Sequence, residues 1–361
     1  MGLLFVVTAL GLGLGQLRAG GTSIGVAGVL LVGLVAGHFG FSVPSAILPL
    51  GTVFFVTSVG LSSGAGFRAV MRRFGKGLML VAGATSSTGF AATLLMARVF
   101  HLDAGLATGM MAGSLTSTPG LGAALEATSG DPLVGIGYAL AYPVGVLGVI
   151  AGVNLMARRA AQSTPEGDTP PRAAPKSRTS RPGNALSLTI IASLGILAGW
   201  IPIPIPWVGS INLGTAGGPL VVAILLGHLG TVGPLRAEFS RSSLVLLRDL
   251  GAVFILASVG TSTGEQFLEL VSEQGVGLLV GGLAVTSVSL FVAMWVSGMI
   301  LRADPAGVMG AVSGAMTSTP GLTASIDIAG TDEPGLAYAA VYPAAIVLNC
   351  IACKILVTLL S

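Results

Sequence analysis

Two polar interruptions, nearly identical in sequence, lie within long apolar segments of the chain. The first is GSLTSTPGL at residues 113–121, and the second is GAMTSTPGL at residues 314–322. Each places three hydroxyl side chains directly before a Pro-Gly pair, and hydroxyls both donate and accept hydrogen bonds. The candidate ligand-binding residues are Thr116, Ser117, Thr118, Pro119 and Gly120, with Thr317, Ser318, Thr319, Pro320 and Gly321.

The Pro-Gly pair predicts a helix that begins within each motif. Proline is favoured at the first helical position, and Ser or Thr is favoured as the cap before it. Such a helix start leaves free N–H groups and a partial positive charge, which can bind an anion such as a carboxylate. The preceding helix end leaves carbonyl groups that could hold a cation or an ammonium group. A proline kink is the structural alternative, but two copies at equivalent positions favour a binding role.

All four tyrosines of the chain follow the two motifs in one pattern. They are spaced four residues apart in each half, so each pair lies on one face of a helix. Their hydroxyls could line a ligand route, or their rings could form an interfacial aromatic belt. We include all four among the candidate binding residues: Tyr138, Tyr142, Tyr338 and Tyr342.

Glu126 and Asp327 also occupy equivalent places, each seven residues after its motif proline. Seven helical residues extend about 10 Å, which predicts that both carboxylates lie near a membrane surface rather than at its centre. We expect solvated rim charges, with a gate or a coupling-cation ligand as the alternative.

The composition excludes a soluble globular protein. The chain has 361 residues, of which 53% are hydrophobic and 9% are charged, whereas a soluble domain carries about 25% charged residues. The apolar runs are continuous and long enough to cross a bilayer as helices. We expect an all-α integral membrane protein in contact with the lipid bilayer. The net charge of +3 gives no reason to expect nucleic acid as a partner.

The two halves of the chain repeat each other. The sequence SVGLSSG at residue 58 matches SVGTSTG at residue 258, and most matched pairs are offset by 200 or 201 residues. This offset indicates an internal duplication, which is typical of transporters, although channels can show it too. We predict a first membrane repeat at 1–157, a basic, proline-rich flexible linker at 158–184, and a second membrane repeat at 185–361.

Each repeat contains six apolar segments, and the fifth holds the motif. The segments of the first repeat lie at 2–16, 21–39, 46–66, 77–98, 104–129 and 133–156. Those of the second lie at 186–200, 214–230, 246–263, 275–300, 305–328 and 335–358.

Basic loop residues mark the cytoplasmic side of a membrane protein. Arg18, the cluster from Arg68 to Lys76 and the linker can share that side only if one segment between the cluster and the linker does not cross. The two parts of the fifth segment, of about 12 and 10 residues, each reach roughly the midplane. We predict a re-entrant helical hairpin, with a broken but fully crossing helix as the rival.

Five crossings in each half place both termini outside and invert the second repeat. The loop charges of the second half agree with this inversion. Arg236, Arg241 and Arg248 then lie on the cytoplasmic side, and the acidic stretch at 265–273 lies outside. The predicted fold is two inverted repeats, each with five transmembrane helices and a re-entrant or broken hairpin. Two tips from opposite sides would meet near the midplane and form one pseudo-symmetric site.

No set of residues points to an enzyme, a cofactor or a metal. The membrane segments carry no central carboxylate, and the chain contains no Walker motif, HExxH motif or nucleophile elbow. Cys350 and Cys353 form a C-x-x-C pair without a second pair or a nearby histidine, so we expect them to pack in a helix interface.

These features resemble the aspartate:alanine exchanger family of bacterial transporters. The resemblance rests on duplicated halves, each with a Gly-x-x-Thr-x-x-Pro hairpin followed by a Tyr-x-x-x-Tyr-Pro helix, and covers nearly the whole chain outside the linker. It implies a secondary transporter of the bacterial cytoplasmic membrane, with kinship to inverted-repeat transporters. It also implies small carboxylate substrates such as aspartate, alanine or succinate. Larger members carry regulatory domains between the halves, where this chain has only a short linker.

The expected function is exchange or export of small carboxylates by alternating access, with the motif residues and tyrosines as the substrate-binding set. Two alternatives stay open. One is a proton- or sodium-coupled transporter of another organic anion, with Glu126 or Asp327 as the coupling residue, and the other is an anion channel. A homodimer also stays open as the assembly. No cofactor and no metal are expected.

Overall fold

The computed structural model describes residues 2–16, 18–19, 22–23, 26–163, 183–205, 209–233, 235–301, 304–331 and 333–360. Most of the described chain is helical. The helices of the first half are α1 (Gly2–Gly15), α2 (Ala27–His38), α3 (Ile47–Phe100), α4 (Ala104–Ser114), α5 (Thr118–Ala127) and α6 (Pro132–Ser163). Those of the second half are α7 (Ala185–Gly199), α8 (Gly214–Leu229), α9 (Arg241–Ile300), α10 (Pro305–Ala315), α11 (Thr319–Ala329) and α12 (Glu333–Leu360).

Three short antiparallel β-hairpins, which are not predicted from the sequence, lie between described helices. The pairs are β1 (Arg18–Ala19) with β2 (Thr22–Ser23), β3 (Pro202–Ile205) with β4 (Gly209–Asn212), and β5 (Thr231–Val232) with β6 (Leu235–Arg236). They lie in the connections between apolar helices. Residues 202–205 read PIPI, and this alternation of proline and β-branched residues suits an extended strand better than a helix.

The predicted apolar segments correspond to these helices with one correction. The third and fourth segments of each half, predicted as separate crossings joined by a loop, form one continuous helix: α3 has 54 residues and α9 has 60. Neither connecting stretch contains a proline, so nothing in the sequence forces the helix to stop. As straight rods, helices of 54 and 60 residues would extend about 80 and 90 Å, far more than a bilayer core of about 30 Å. The contacts of Gly51 with Gly251, Gly77 with Ile300 and Phe100 with Gly277 cannot all be made by straight helices, so each helix bends between its two apolar parts.

The first residues of the predicted linker at 158–184 are helical. Helix α6 continues through Ser163, because the residues after 157 include good helix formers such as Arg, Ala and Gln. Helix α7 begins at Ala185, where the side chain of Asn184 accepts a hydrogen bond from the Ser187 N–H at 3.0 Å. Residues 164–182, which make up most of the predicted linker, lie outside the described part of the chain.

The described helices confirm the prediction of an all-α membrane protein. By length and composition, four of them could cross a membrane: Gly77–Phe100, Pro132–Arg158, Arg241–Ile300 and Glu333–Leu360. Large apolar side chains cover their outer faces, among them Leu95, Leu147, Leu283, Phe291 and Trp295. An outer surface of this kind suits lipid rather than water.

Helices α4 and α5 form a hairpin that returns to the level at which it began. A methyl group added at Gly105, near the start of α4, would contact Asp131, just before α6. One added at Gly113, near the end of α4, would lie 2.8 Å from the Tyr138 carbonyl oxygen. Helices α4 and α6 therefore run parallel, so α5, which connects them, runs back in the opposite direction.

The second half repeats this arrangement. Gly310 of α10 lies against Pro334, and Gly314 lies against Tyr338, so α10 and α12 also run parallel. Helix α11 therefore runs back as α5 does. Each half thus contains one helical hairpin whose tip holds the Thr-Ser-Thr-Pro-Gly motif.

The long helices α3 and α9 pack against each other in antiparallel directions. The contacting pairs are Gly77 with Ile300, Gly89 with Ser289, and Phe100 with Gly277. Positions later in α3 thus meet positions earlier in α9. Positions 89 and 289 are equivalent in the two halves, so a twofold axis that relates the halves would pass through this contact.

Gly251 marks a second point at which α9 touches α3, backbone to backbone. A methyl group there would lie 2.5 Å from the Phe55 amide nitrogen and 2.7 Å from the Gly51 carbonyl oxygen. We predict that Gly251→Ala destabilises the protein by about 1–3 kcal/mol, because the two helices would have to move apart. Thermal unfolding in detergent, followed by size-exclusion chromatography, measures the change.

Gly298→Ala is the matched control on the same helix, because no atom beyond the neighbouring turns of α9 lies within 4 Å of the added methyl group. This variant should melt at the wild-type temperature or above it, since alanine is favoured over glycine in a helix by about 1 kcal/mol. Equal melting temperatures for the two variants would show that the contact between α3 and α9 is not tight.

Candidate functional site

The motif of each half forms a short loop between two helices, α4 and α5 or α10 and α11. The Ser117 hydroxyl accepts a hydrogen bond from the Gly120 N–H at 3.2 Å, and the Ser318 hydroxyl accepts one from the Gly321 N–H at 3.1 Å. These serines are the N-caps of α5 and α11, which confirms the predicted helix starts.

The backbone carbonyls at the end of α4 are already hydrogen-bonded within the protein. The Ala112 and Gly113 carbonyls accept from N–H groups of the loop at 2.7 and 2.9 Å. The Ser114 carbonyl accepts from the Thr286 hydroxyl at 3.2 Å. The free backbone groups that the sequence analysis expects at the tip are thus largely occupied, because buried backbone groups need partners. Ligand contacts therefore fall mainly to side chains.

The two tips exchange hydrogen bonds with each other. The Thr116 hydroxyl donates to the Met316 carbonyl at 2.7 Å, and the Thr317 hydroxyl donates to the Leu115 carbonyl at 2.7 Å. Thr116 is equivalent to Thr317, and Leu115 is equivalent to Met316, so each bond is the twofold image of the other. All four residues are buried. The tips are therefore joined where the two halves meet.

Thr116 and Thr317 adopt left-handed backbone conformations, with φ of 52° and 50°. A β-branched residue rarely enters this region, and each such strained residue costs about 1–3 kcal/mol. The cross-tip hydrogen bonds and the buried surroundings hold both residues in place. Strained backbone of this kind is concentrated at binding and switching sites. The sequence identifies these threonines as candidates but not their conformation.

The four tyrosines are buried beside the tips. Tyr138 stacks on Tyr142 with ring centroids 5.1 Å apart, and Tyr338 stacks on Tyr342 with centroids 4.6 Å apart. The Tyr138 hydroxyl lies 3.3 Å from the Thr118 hydroxyl, within hydrogen-bonding distance. An exposed aromatic belt, the alternative for these residues, is therefore wrong, because buried rings cannot face the lipid headgroups.

A cavity of about 1040 Å³ reaches both tips. Its polar wall combines threonine hydroxyls from both halves with one tyrosine from each. These residues are Thr116, Thr118, Tyr142, Thr317, Thr319 and Tyr342, and Pro320 lies beside them. The other predicted site residues lie outside the lining: Ser117, Pro119, Gly120, Ser318, Gly321, Tyr138 and Tyr338.

The cavity is open along the second hairpin and closed along the first. Thr319 and Pro320 at the start of α11 are half-buried, whereas residues 118–125 of α5 are all buried. The lining also includes Gln16, after α1, and Asn154, in the last third of α6. The open side is therefore the side towards which α6 leads into the linker.

Glu126 and Lys354 lie at the opposite side. The Glu126 carboxylate accepts the Thr215 N–H, at the start of α8, at 3.1 and 3.2 Å, and lies 3.5 Å from the Lys354 ammonium. Lys354 also donates to the Asn212 carbonyl at 2.8 Å, and only 11% of its side chain is exposed. Gly214 touches the same carboxylate and leaves no room for a Cβ atom. We call this set of contacts the Glu126 latch.

The equivalent residues on the open side form no such latch. Asp327, the counterpart of Glu126, is exposed and lines the cavity, and it makes no ion pair with any described residue. Asn154, the counterpart of Lys354, donates to the Ile150 carbonyl of its own helix at 2.9 Å. Glu126 and Asp327 are thus matched in sequence but not in environment, and Glu126 is not a freely solvated rim charge.

Arg248 and Asp249 also line the cavity, although neither is among the predicted site residues. From the sequence, Arg248 is expected only as a charge that orients the protein. The Nε and Nη2 atoms of Arg248 donate to Asp249 Oδ1 at 3.1 and 3.0 Å. One sequence signal could have found this pair, because the equivalent residues of the first half are the apolar Leu48 and Pro49.

Other chemically reactive side chains form no separate centre within the described ranges. No group of three or more His, Cys, Asp or Glu side chains that could hold a metal ion occurs there. Cys350 and Cys353 are free thiols buried in α12.

Comparison with known proteins identifies the family of the chain. The sequence profile of the aspartate:alanine exchanger family, described as a predicted permease membrane region, matches residues 3–158 and 187–358. The two matched stretches correspond to the two halves and leave out the linker.

Individual relatives match along nearly the whole chain. An uncharacterized transporter of Bacteroides fragilis is 25% identical, with 95% of each chain covered. Uncharacterized transporters of Rhodopirellula baltica and Corynebacterium efficiens are 24% and 26% identical, with 99% of this chain and 99% and 98% of the relatives covered. The alignments span 507 to 533 residues, so these relatives hold residues that this chain of 361 lacks. The chain is a membrane transporter and belongs to the aspartate:alanine exchanger family.

Proposed function

We propose that this protein is a secondary transporter that exchanges or exports small carboxylates by alternating access to one site between the two hairpin tips. This proposal is supported most directly by the geometry at the tips. Twofold-related hydrogen bonds join the two tips, whereas the cavity beside them opens on one side only. A site built from both halves but reached through one of them suits alternating access. Membership of a permease family supports the same class of function.

In the membrane, we propose, the halves are inverted repeats, each with five crossings and a re-entrant hairpin. The support is that equivalent parts of α3 and α9, which contain candidate membrane spans, pack antiparallel. A twofold axis that relates antiparallel spans lies in the membrane plane. The return of α5 to the level at which α4 begins favours a re-entrant hairpin over a broken crossing helix.

Charge placement suggests how this arrangement lies in the bacterial cytoplasmic membrane. The positive-inside rule puts the basic linker in the cytoplasm and both termini outside. The open cavity would then face the cytoplasm, because it lies on the linker side. The shorter apolar helices, such as α2 with 12 residues and α8 with 16, extend about 18–24 Å. Local thinning of the bilayer accommodates a mismatch of this size.

The site contains hydrogen-bond donors for a carboxylate ligand, and they lie at the positive ends of two helices. The Thr118 and Thr319 hydroxyls line the cavity at the first residues of α5 and α11. The partial positive charge at each helix start favours an anion there. Tyr142 and Tyr342 add one hydroxyl from each half. Because these groups come in twofold pairs, a small ligand meets similar donors from either side.

The Glu126 latch acts as the closed gate in this proposal. It fixes the end of α5 to the start of α8 and to α12 on the side away from the linker. On the linker side Asn154 bonds the Ile150 carbonyl of its own helix, and the cavity is open. In the opposite state the latch would open, and α11 would pack against the start of α2 as α5 packs against α8 here.

A second candidate is a transporter coupled to protons or sodium ions. Asp327 favours it, since this carboxylate faces the open cavity without an ion-pair partner among the described residues. A carboxylate in such a place can carry a proton or a cation together with the substrate. Uptake that depends on an imposed pH or sodium gradient distinguishes this candidate from simple exchange.

The paired threonines at the helix starts provide the test of the proposed site. The double variant Thr118→Ala, Thr319→Ala should insert and fold but lose counterflow of preloaded aspartate or succinate by about tenfold or more, because two donors to the anion are removed. Uptake of labelled substrate into preloaded proteoliposomes measures the loss.

Thr189→Ala is the matched control, because Thr189 is exposed on α7 and its hydroxyl bonds the Ala185 carbonyl of its own helix. This variant should exchange at the wild-type rate. Wild-type counterflow in the double threonine variant would contradict the proposed site. Current across a planar bilayer without counterflow would instead identify an anion channel.

The latch can be tested at the amide that it protects. Glu126→Gln should accelerate hydrogen–deuterium exchange of the Thr215 amide by about tenfold, because a charge-assisted hydrogen bond to that N–H is weakened. Peptide-level mass spectrometry of purified protein measures the exchange. Asp327→Asn is the matched control, since the equivalent carboxylate makes no contact with α8. Equal protection in wild type and Glu126→Gln would show that the latch does not hold the closed side.

A further inference from the structure

The polar wall of the cavity at the tips comes in like pairs: Thr116 with Thr317, Thr118 with Thr319, and Tyr142 with Tyr342. Elsewhere the lining is unequal, and it includes Gln16, Asn154, Thr323 and Asp327 without like partners. Arg248 and Asp249 of α9 line the same cavity, whereas the equivalent residues of α3 are Leu48 and Pro49. The fold of one half thus accommodates apolar residues where the other half has an ion pair. The pair therefore calls for an explanation beyond the packing of the repeat.

Arg248 lies within a candidate membrane span, where a charged side chain is costly. It lies about 10 Å along α9 from Arg241, the first residue of the helix. Its side chain is 33% exposed, and it lines the cavity. An ionisable residue within a membrane segment is rare, faces a cavity or a partner, and usually marks the path of a substrate or an ion. This position favours a role in ligand contact.

The guanidinium of Arg248 retains hydrogen-bond donors for a ligand. Arginine carries five N–H donors in a planar fork, and the contact with Asp249 uses Nε and Nη2 on a single carboxylate oxygen. A planar fork matches a carboxylate through two parallel hydrogen bonds. Among the described residues that line the cavity, Arg248 is the only Lys or Arg. The backbone of the tips is a poorer candidate, because its groups are largely bonded within the protein.

We propose that Arg248 is the specificity-determining residue of this site: its guanidinium binds one carboxylate group of the substrate, and Asp249 is the positioning residue that holds it. This assignment rests on the proposed function, since it names the group that recognises the carboxylate in the same cavity. The pair belongs to the second half alone. The guanidinium therefore meets substrate that enters from the linker side, whereas Leu48 and Pro49 offer no charge at the equivalent place.

The charges around Arg248 also determine which carboxylates fit. Among the described residues of the lining, Asp249 and Asp327 are two carboxylates beside the one guanidinium of Arg248. A dianion such as succinate is repelled by the excess negative charge, whereas an amino acid brings an ammonium group that offsets it. Asp249→Asn removes one of the two carboxylates and should therefore favour succinate relative to alanine.

The test compares half-saturation concentrations for counterflow of aspartate, succinate and alanine in proteoliposomes. Arg248→Gln should raise the value for aspartate by about tenfold or more, with a smaller fall in maximal rate, because an ionic hydrogen bond to the substrate is lost. Arg248→Lys should restore part of the affinity, since it keeps the charge but not the planar fork. Asp249→Asn should lower the succinate-to-alanine ratio of half-saturation concentrations by about threefold or more.

Arg241→Gln is the matched control. It removes a positive charge from the exposed start of the same helix, outside the cavity lining. The half-saturation concentrations should stay at their wild-type values. An equal rise in Arg241→Gln and Arg248→Gln would overturn the inference, because the effect would then come from general charge rather than from contact with the substrate.

The outcomes separate this inference from the proposed function. If the wild-type protein shows no counterflow of any carboxylate, the proposed function fails, and the role of Arg248 fails with it. If the wild-type protein exchanges and Arg248→Gln keeps wild-type half-saturation concentrations, only the role of Arg248 fails. If Arg248→Gln does not fold, as judged by size-exclusion chromatography, Asp249→Asn decides, because an unchanged succinate-to-alanine ratio overturns the inference.

Discussion

The structure depends on one constraint: a helix that breaks where the chain is buried leaves backbone groups that need hydrogen-bond partners. In this protein the two breaks satisfy each other. The Thr116 hydroxyl bonds the backbone of the second tip, and the Thr317 hydroxyl bonds the backbone of the first. Neither hairpin can make this contact alone, so the repetition of the motif supplies each break with its partner. The packing of α5 on α12 and of α11 on α6, each between the two halves, brings the tips within hydrogen-bonding distance.

Around this symmetric centre the surroundings are unequal, and the inequality is what a transporter needs. The first hairpin is packed, and its Glu126 is bonded to the start of α8 and to Lys354. The second hairpin borders the cavity, and its Asp327 is exposed there. Equivalent elements therefore occupy two environments within one structure. Under the proposed alternating access, each half would take up the arrangement that the other half has here, with Asp327 and Asn154 in the places of Glu126 and Lys354.

Features set by neighbouring residues can be predicted from the sequence, whereas contacts between residues distant in the chain cannot. The break in the fifth segment and its serine caps could be predicted, because proline and the hydroxyl before it act within a few residues. The continuity of α3 and α9 could not, since the charged stretches within them resemble loops although they contain no proline. The bonding of Lys354 to Glu126 depends on how α12 meets α5. The sequence shows one sign of Arg248's role, because the equivalent residue of the first half is the apolar Leu48. Only the packed structure shows that Arg248 lines the cavity.

The most direct test of alternating access uses the two cysteines of the chain. Cys350 is equivalent to Ile150, which lines the open cavity, whereas Cys353 is equivalent to Val153, which is buried, and both thiols are buried here. If the opposite face opens as the mirror image of this cavity, Cys350 becomes accessible from the side away from the linker. In cells that carry Cys353→Ser, an impermeant maleimide added outside should label Cys350 during substrate exchange, and Cys353 in Cys350→Ser should stay unlabelled. Active exchange in which Cys350 is never labelled would contradict alternating access through these tips.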